Sequence, residues 1–114
     1  MLPRLIGRSL AKKLIFFGEK LNGLEAKEIG LVDYCGEDSS YINNILQEKL
    51  AILSKQGPLA IKAAKKAINQ GIDKSLDDGL GIEKESYDSL IPSSDRLEGL
   101  KSFIEKKRAV YKGK

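Results

Sequence analysis

The sequence predicts a mostly α-helical chain with at most one short strand. Three observations carry that prediction. Apolar residues recur three and four positions apart through most of the chain, the period of helices with one face turned inward. Helix-starting residues stand ahead of these runs at Asn22, Pro58, Ser75 and Ser93. Glycine or proline interrupts them at Gly18, Gly30, Gly57, Gly71 and Pro92.

Taken in order, Leu10, Ala11, Leu14 and Ile15 predict a helix over residues 8–17, stopped by Gly18. Asn22 and Glu25 have the spacing of a capping box. They predict a short helix carrying Leu24, Ala26 and Ile29 and ending at Gly30. Leu31, Val32, Asp33 and Tyr34 form the one strand-like run. Gly36 to Ser40 reads as a polar loop. Tyr41, Ile42, Ile45, Leu46, Leu50 and Leu53 then mark an amphipathic helix. Pro58 suits the first position of the next helix. That helix is expected to turn Ile61, Ala64, Ala67 and Ile68 to one face, with Lys62, Lys65 and Lys66 on or near the other. Ser75 caps a further helix, with Asp77 and Asp78 complementing its dipole. Gly79 and Gly81 fall inside it, and each costs about 1 kcal/mol relative to alanine. Either that helix starts later, or another backbone packs closely there. Ser93 caps the last helix, with Asp95 in its first turn and Leu97, Leu100, Phe103 and Ile104 on its apolar face. The basic residues after Lys106 read as an extended tail. No linker divides the chain, and no internal repeat is visible.

Composition narrows the function. The chain has 114 residues, 41% hydrophobic and 32% charged, which fits one soluble globular region rather than a disordered one. With three Phe, four Tyr and no Trp, its core must come from Leu, Ile and Ala. A net charge of +4 favours anionic partners without selecting nucleic acid. Cys35 is the single cysteine, so no internal disulfide forms and a reducing compartment is expected. No apolar run reaches the length of a membrane span. The early basic residues Arg4, Lys12 and Lys13 alternate with apolar ones at helical spacing, so no transit peptide is read there. Histidine is absent, which removes the commonest general base and metal ligand.

Catalytic patterns are correspondingly few. There is no nucleophile–histidine pair, metal cluster, phosphate loop or dinucleotide glycine pattern. Cys35, with no histidine to activate it, reads as a small, partly buried residue. Glu83 with Glu85, and Asp77 with Asp78, read as surface charge and dipole compensation rather than an acid–base pair. Lys62, Lys65 and Lys66 could meet phosphates or an RNA backbone. They lack the interleaved aromatic rings of a single-strand site and read as a solvated face. Phe103 and Lys106 lie one helical turn apart, placing a ring and an ammonium on one side of the helix. That pair suits a phosphate-bearing nucleotide, the base on the ring and the phosphate on the lysine. Pattern alone favours a packed Phe and a solvated Lys over that reading.

Several segments carry a resemblance. Leu2-Pro3-Arg4-Leu5-Ile6-Gly7, Glu25-Ala26-Lys27-Glu28-Ile29-Gly30-Leu31-Val32-Asp33, Gly57-Pro58-Leu59-Ala60 and Asp95-Arg96-Leu97-Glu98-Gly99 through Phe103-Ile104-Glu105-Lys106-Lys107-Arg108 occur in the order and spacing of the crotonase family, the enoyl-CoA hydratases and isomerases. Ile68-Asn69-Gln70-Gly71 and the stretch from Ile91 to Gly99 look most similar to its methylglutaconyl-CoA hydratase branch.

The resemblance implies the C-terminal helical trimerisation region of the crotonase (ClpP/crotonase-like) fold, without the N-terminal spiral of ββα units. Residues 1–35 would be the end of the core and its junction, and residues 36–114 the trimerisation part. It implies hydration of a 2-enoyl-CoA, with no cofactor beyond the coenzyme A of the substrate. The glutamates and oxyanion-hole amides of the family lie upstream of Met1, so no catalytic residue is assigned here. Phe103 and Lys106 match the positions that reach a neighbouring subunit's acyl-CoA. Leu2, Pro3 and Ile6 match the edge of the acyl pocket. A trimer or a dimer of trimers and a mitochondrial location follow from the same resemblance. The RNA-binding lysines of the resembled branch lie upstream, so RNA binding is not implied. An assembly module without catalysis is the main rival reading, and a weak basic RNA-binding module a lesser one.

Overall fold

In a computed structural model that describes residues 1–114, the chain forms seven helices and no strand. They are α1 (Leu2–Ile6), α2 (Arg8–Phe17), α3 (Gly23–Glu28), α4 (Ser39–Leu53), α5 (Pro58–Gly71), α6 (Leu76–Asp88) and α7 (Ser94–Ile104). The chain divides into two compact units, Met1–Leu50 and Ala51–Lys114.

In the first unit, α1 was not expected from periodicity, because five residues are too few to show it. Its two sequence signals are Pro3 in the first turn and Gly7, whose φ of 81° breaks the chain before α2. Ala11 and Leu14 of α2 and Ala26 of α3 are the unit's buried apolar residues. The α3 capping box forms as expected: Glu25 N–H donates to Asn22 Oδ1 at 3.0 Å, and Asn22 N–H to Glu25 Oε2 at 2.8 Å.

The strand expected at Leu31–Tyr34 is absent. Gly30, with φ of 73°, turns the chain back over the end of α3. Gly30 N–H donates to Lys27 O at 3.0 Å and Leu31 N–H to Ala26 O at 2.8 Å, the paired bonds of a Schellman cap. Val32 N–H also reaches Ala26 O, at 3.3 Å. Two of the donors that a strand would offer, those of Leu31 and Val32, are spent on the helix end. The loop expected over Gly36–Ser40 is also shorter than read, because α4 starts at Ser39. Asp38 brings this about by accepting from Tyr41 N–H at 2.8 Å and from the Ser40 hydroxyl at 2.7 Å. Those two donors, the Tyr41 amide foremost, hold the Asp38 carboxyl below its ordinary value.

In the second unit, α5 and α6 make the largest helix–helix contact. The half-buried residues of α5 are Leu59, Ala63, Ala67 and Gly71, a row four apart. This corrects the face expected from Ile61, Ala64, Ala67 and Ile68, since Ile61 and Ile68 point outward. The inward residues of α6 are Gly79, Ile82 and Ser86. Small residues face small residues, so the two backbones come close. A Cβ added at Gly71 would lie 3.5 Å from Gly79 Cα. That answers the question posed by Gly79: α6 starts where Ser75 caps it, and another backbone lies against Gly79. Gly81 faces open space. The second unit buries no apolar side chain to the extent Leu14 is buried; its buried residues are Gly57, Ser86, Ser93, Asp95 and Ser102. Ile72, Leu76 and Ile104 are each at least three-quarters exposed.

Candidate functional site

The candidate site is the end of α7. Ser93 caps the start of that helix, its hydroxyl accepting from Arg96 N–H at 3.2 Å. At the other end, Lys106 N–H donates to Phe103 O at 3.3 Å and Lys107 N–H to Ser102 O at 2.9 Å. These are again the paired bonds of a Schellman cap. The left-handed position, which glycine usually fills, is held here by Lys106 at φ 53°, the only non-glycine residue with positive φ. Phe103 stands 85% exposed. Glu105 pairs with Lys107 at 3.2 Å and with Lys101 at 4.0 Å, whereas Lys106 takes no ion pair. The Phe103 ring faces solvent and Lys106 follows it in the cap, joined by that backbone bond rather than by one helix face as the spacing implied, since α7 ends at Ile104.

Holding a β-carbon in the left-handed region costs about 1 kcal/mol. Lys106→Gly should therefore raise the chain's unfolding free energy by roughly that amount, read from urea denaturation at constant m value. An unchanged or lower midpoint would mean that the lysine side chain offsets its own strain.

The tail after Lys106 is extended, as expected, but it is not free. Val110 N–H donates to Glu98 Oε1 at 3.0 Å, Lys112 N–H to Asp95 Oδ1 at 2.7 Å and Gly113 N–H to Asp95 Oδ2 at 2.9 Å. Lys114 O accepts from Asp95 N–H at 3.1 Å and from the Ser94 hydroxyl at 2.9 Å. The tail is a strap running back along α7. Asp95, which the sequence placed only in the first turn of the last helix, is buried and occupied by this strap. Glu98 also accepts from the Ser102 hydroxyl at 3.1 Å. The Val110 amide, then the Ser102 hydroxyl, hold its carboxyl below the ordinary value, with Lys101 and Lys112 adding to the effect.

The remaining sequence candidates lie elsewhere. Leu2 and Ile6 are half-buried on one face of α1, and Pro3 is exposed on another. Cys35 is half-buried against Gly23 and borders a cavity of about 740 Å³ that also touches Lys27 and Tyr41. Lys62, Lys65 and Lys66 are exposed along α5. Glu83, Glu85 and Asp77 are exposed on α6, and Asp78 accepts a bond from the Ser75 hydroxyl at the helix start. No helix is long and apolar enough to cross a membrane.

Residues 1–114 match, in full, the family model described as enoyl-CoA hydratase/isomerase. The chain belongs to the enoyl-CoA hydratase/isomerase family, the crotonases. It is 47% identical over 112 residues to YngF of Bacillus subtilis, covering 98% of this chain and 43% of that protein. It is 45% identical over 115 residues to the human mitochondrial methylglutaconyl-CoA hydratase, covering 98% of this chain and 34% of that one. The crystal structure of an enoyl-CoA hydratase from Bacillus anthracis superimposes with a TM-score of 0.92 at 42% identity, over 99% of this chain and 43% of that one. The chain thus spans about two fifths of the length of the crotonases it matches. Its all-helical architecture is that of the C-terminal region of the crotonase fold.

Proposed function

We propose that this chain is the C-terminal part of an enoyl-CoA hydratase and that it supplies subunit contacts and a CoA contact to a neighbouring subunit. The observation that carries the reading is the end of α7: an exposed Phe103 and, in the cap that follows it, a Lys106 that makes no ion pair. A nucleotide end bearing phosphates suits that pair, with the adenine on the ring and a phosphate on the lysine. The substrate class is a 2-enoyl-CoA. 3-Methylglutaconyl-CoA is the specific candidate, from the name of the human relative. Leu2, Pro3 and Ile6 would edge the acyl pocket. The assembly is a trimer or a dimer of trimers, and the location mitochondrial, as in the names of the human and mouse relatives. Residues 1–35 serve as the end of the catalytic core and residues 36–114 as the trimerisation part.

Hydration needs a base and an acid for the water, and donors for the thioester oxygen as charge develops on it. We infer that these groups lie upstream of residues 1–114, which offer no match to them. The pure 114-residue protein should therefore not hydrate crotonyl-CoA above the buffer rate, and measurable turnover scaling with its concentration would overturn the proposal. A second reading, an assembly module without catalysis, draws on the outward apolar side chains of the second unit. Mixed with a full-length methylglutaconyl-CoA hydratase, the chain would then enter its oligomer on size exclusion. A monodisperse monomer that ignores the hydratase would sink that reading.

A further inference from the structure

We propose that Asp95 and Glu98 are positioning residues: by clamping the strap they hold the turn 105–109 as a preformed cationic contact for the phosphates of an acyl-CoA. The inference rests on the reading of Phe103 and Lys106 above and adds what fixes them. The turn is tied at both ends. At its start, Lys106 and Lys107 donate to the last carbonyls of α7. At its finish, Val110 donates to Glu98, whose same oxygen takes the Ser102 hydroxyl. Both ties therefore meet on one turn of α7. Two bonds to Asp95 and two to Lys114 O hold the strap beyond that point. Tyr111 lies over Gly57 and Gly99, where an added Cβ would come within 3.5 Å and 3.4 Å of it. The turn carries three cations, Lys106, Lys107 and Arg108. Both clamp carboxylates are turned onto strap backbone N–H groups. Lys107 is answered by Glu105, while Lys106 and Arg108 have no ion-pair partner. Arg108 lines a groove of about 630 Å³ together with Lys55 and Tyr111. A mobile turn of this charge would lose its freedom on meeting a phosphate, whereas a clamped one has already lost it.

Coenzyme A carries a phosphate-rich nucleotide end that pantetheine lacks, so the two ligands separate the cationic contact from everything else. Nitrogen-15 NMR titrations of the 114-residue chain to millimolar ligand should show tighter binding of coenzyme A than of pantetheine, by about tenfold. Glu98→Ala should erase most of that preference and speed hydrogen exchange at the Val110 amide. Glu98→Gln, which keeps an acceptor oxygen for Val110 and Ser102, should restore both. Val110→Pro removes the same bond from the strap side, leaves α7 intact, and should reproduce Glu98→Ala. If either of these two variants frees the strap and keeps the preference, the positioning role is wrong. It is also wrong if the strap amides stay protected without Glu98. Should Lys106→Ala keep the full preference, or the wild-type chain show none, the reading of Phe103 and Lys106 itself falls, and this inference with it.

Discussion

Asp95→Ala is expected to detach the strap from α7 and to lower the unfolding free energy of the second unit by about 3 kcal/mol. Asp95 is 6% exposed, and its two oxygens each accept a backbone N–H, from Lys112 and Gly113. Hydrogen bonds to a charged acceptor contribute about 1.5–3 kcal/mol each, and the orphaned amides regain part of that from water once the strap lifts. Thermal or urea unfolding gives the stability, and hydrogen exchange at Lys112 and Gly113 gives the detachment. A loss below about 1 kcal/mol with the strap still protected would place its anchor elsewhere. The neighbouring Glu98 sets the direction of the pH response. Its carboxyl sits below the ordinary 4.5 in the folded chain. The stability it contributes is therefore complete above that value and is lost as pH falls through the lower folded one. The strap should loosen in acid and stay closed as pH rises through neutrality.

Local rules were legible in the sequence wherever cause and effect lie within about four residues. The helix over 8–17, the Asn22–Glu25 capping box and the Ser75 and Ser93 caps all formed where the residues placed them. Leu31–Tyr34 failed for an equally local reason: the run suits a strand, but the turn at Gly30 had already committed the N–H groups of Leu31 and Val32 to the end of α3. The face of α5 failed for a different one. Isoleucine ranks above alanine in hydrophobicity, yet the contact with α6 is built on close approach, which only Ala63, Ala67, Gly71 and Gly79 permit. The strap was not legible at all, because Asp95 meets its partners 17 and 18 residues away. The spacing of Phe103 and Lys106 was legible as one helical turn, although α7 ends at Ile104 and Lys106 lies beyond it. The left-handed backbone of Lys106 was not, since nothing in Glu105-Lys106-Lys107 announces a position that glycine would normally take.

Close approach also gives the sharpest test of the fold. Gly79→Val is expected to destabilise the α5–α6 pair by about 2 kcal/mol, while Gly81→Val should change stability by less than about 0.5 kcal/mol. The two positions share a helix, a residue type and a propensity cost, so the difference isolates packing. A Cβ at Gly79 would stand 3.6 Å from Gly71 O and 4.0 Å from Gly71 Cα, ordinary contact that alanine satisfies. Valine adds two methyl groups on a stiff χ1, and the atoms they meet belong to backbone that moves only with α5 as a whole. At Gly81 nothing lies within 4 Å, so the same methyl groups enter solvent. Gly79→Ala completes the series: it removes the flexibility of glycine without overfilling the contact, and should raise stability by up to about 1 kcal/mol. Urea midpoints of the three variants decide the matter. Equal effects at 79 and 81 would mean that α5 and α6 are not held at this distance, and that Gly79 costs helix propensity with no packing in return.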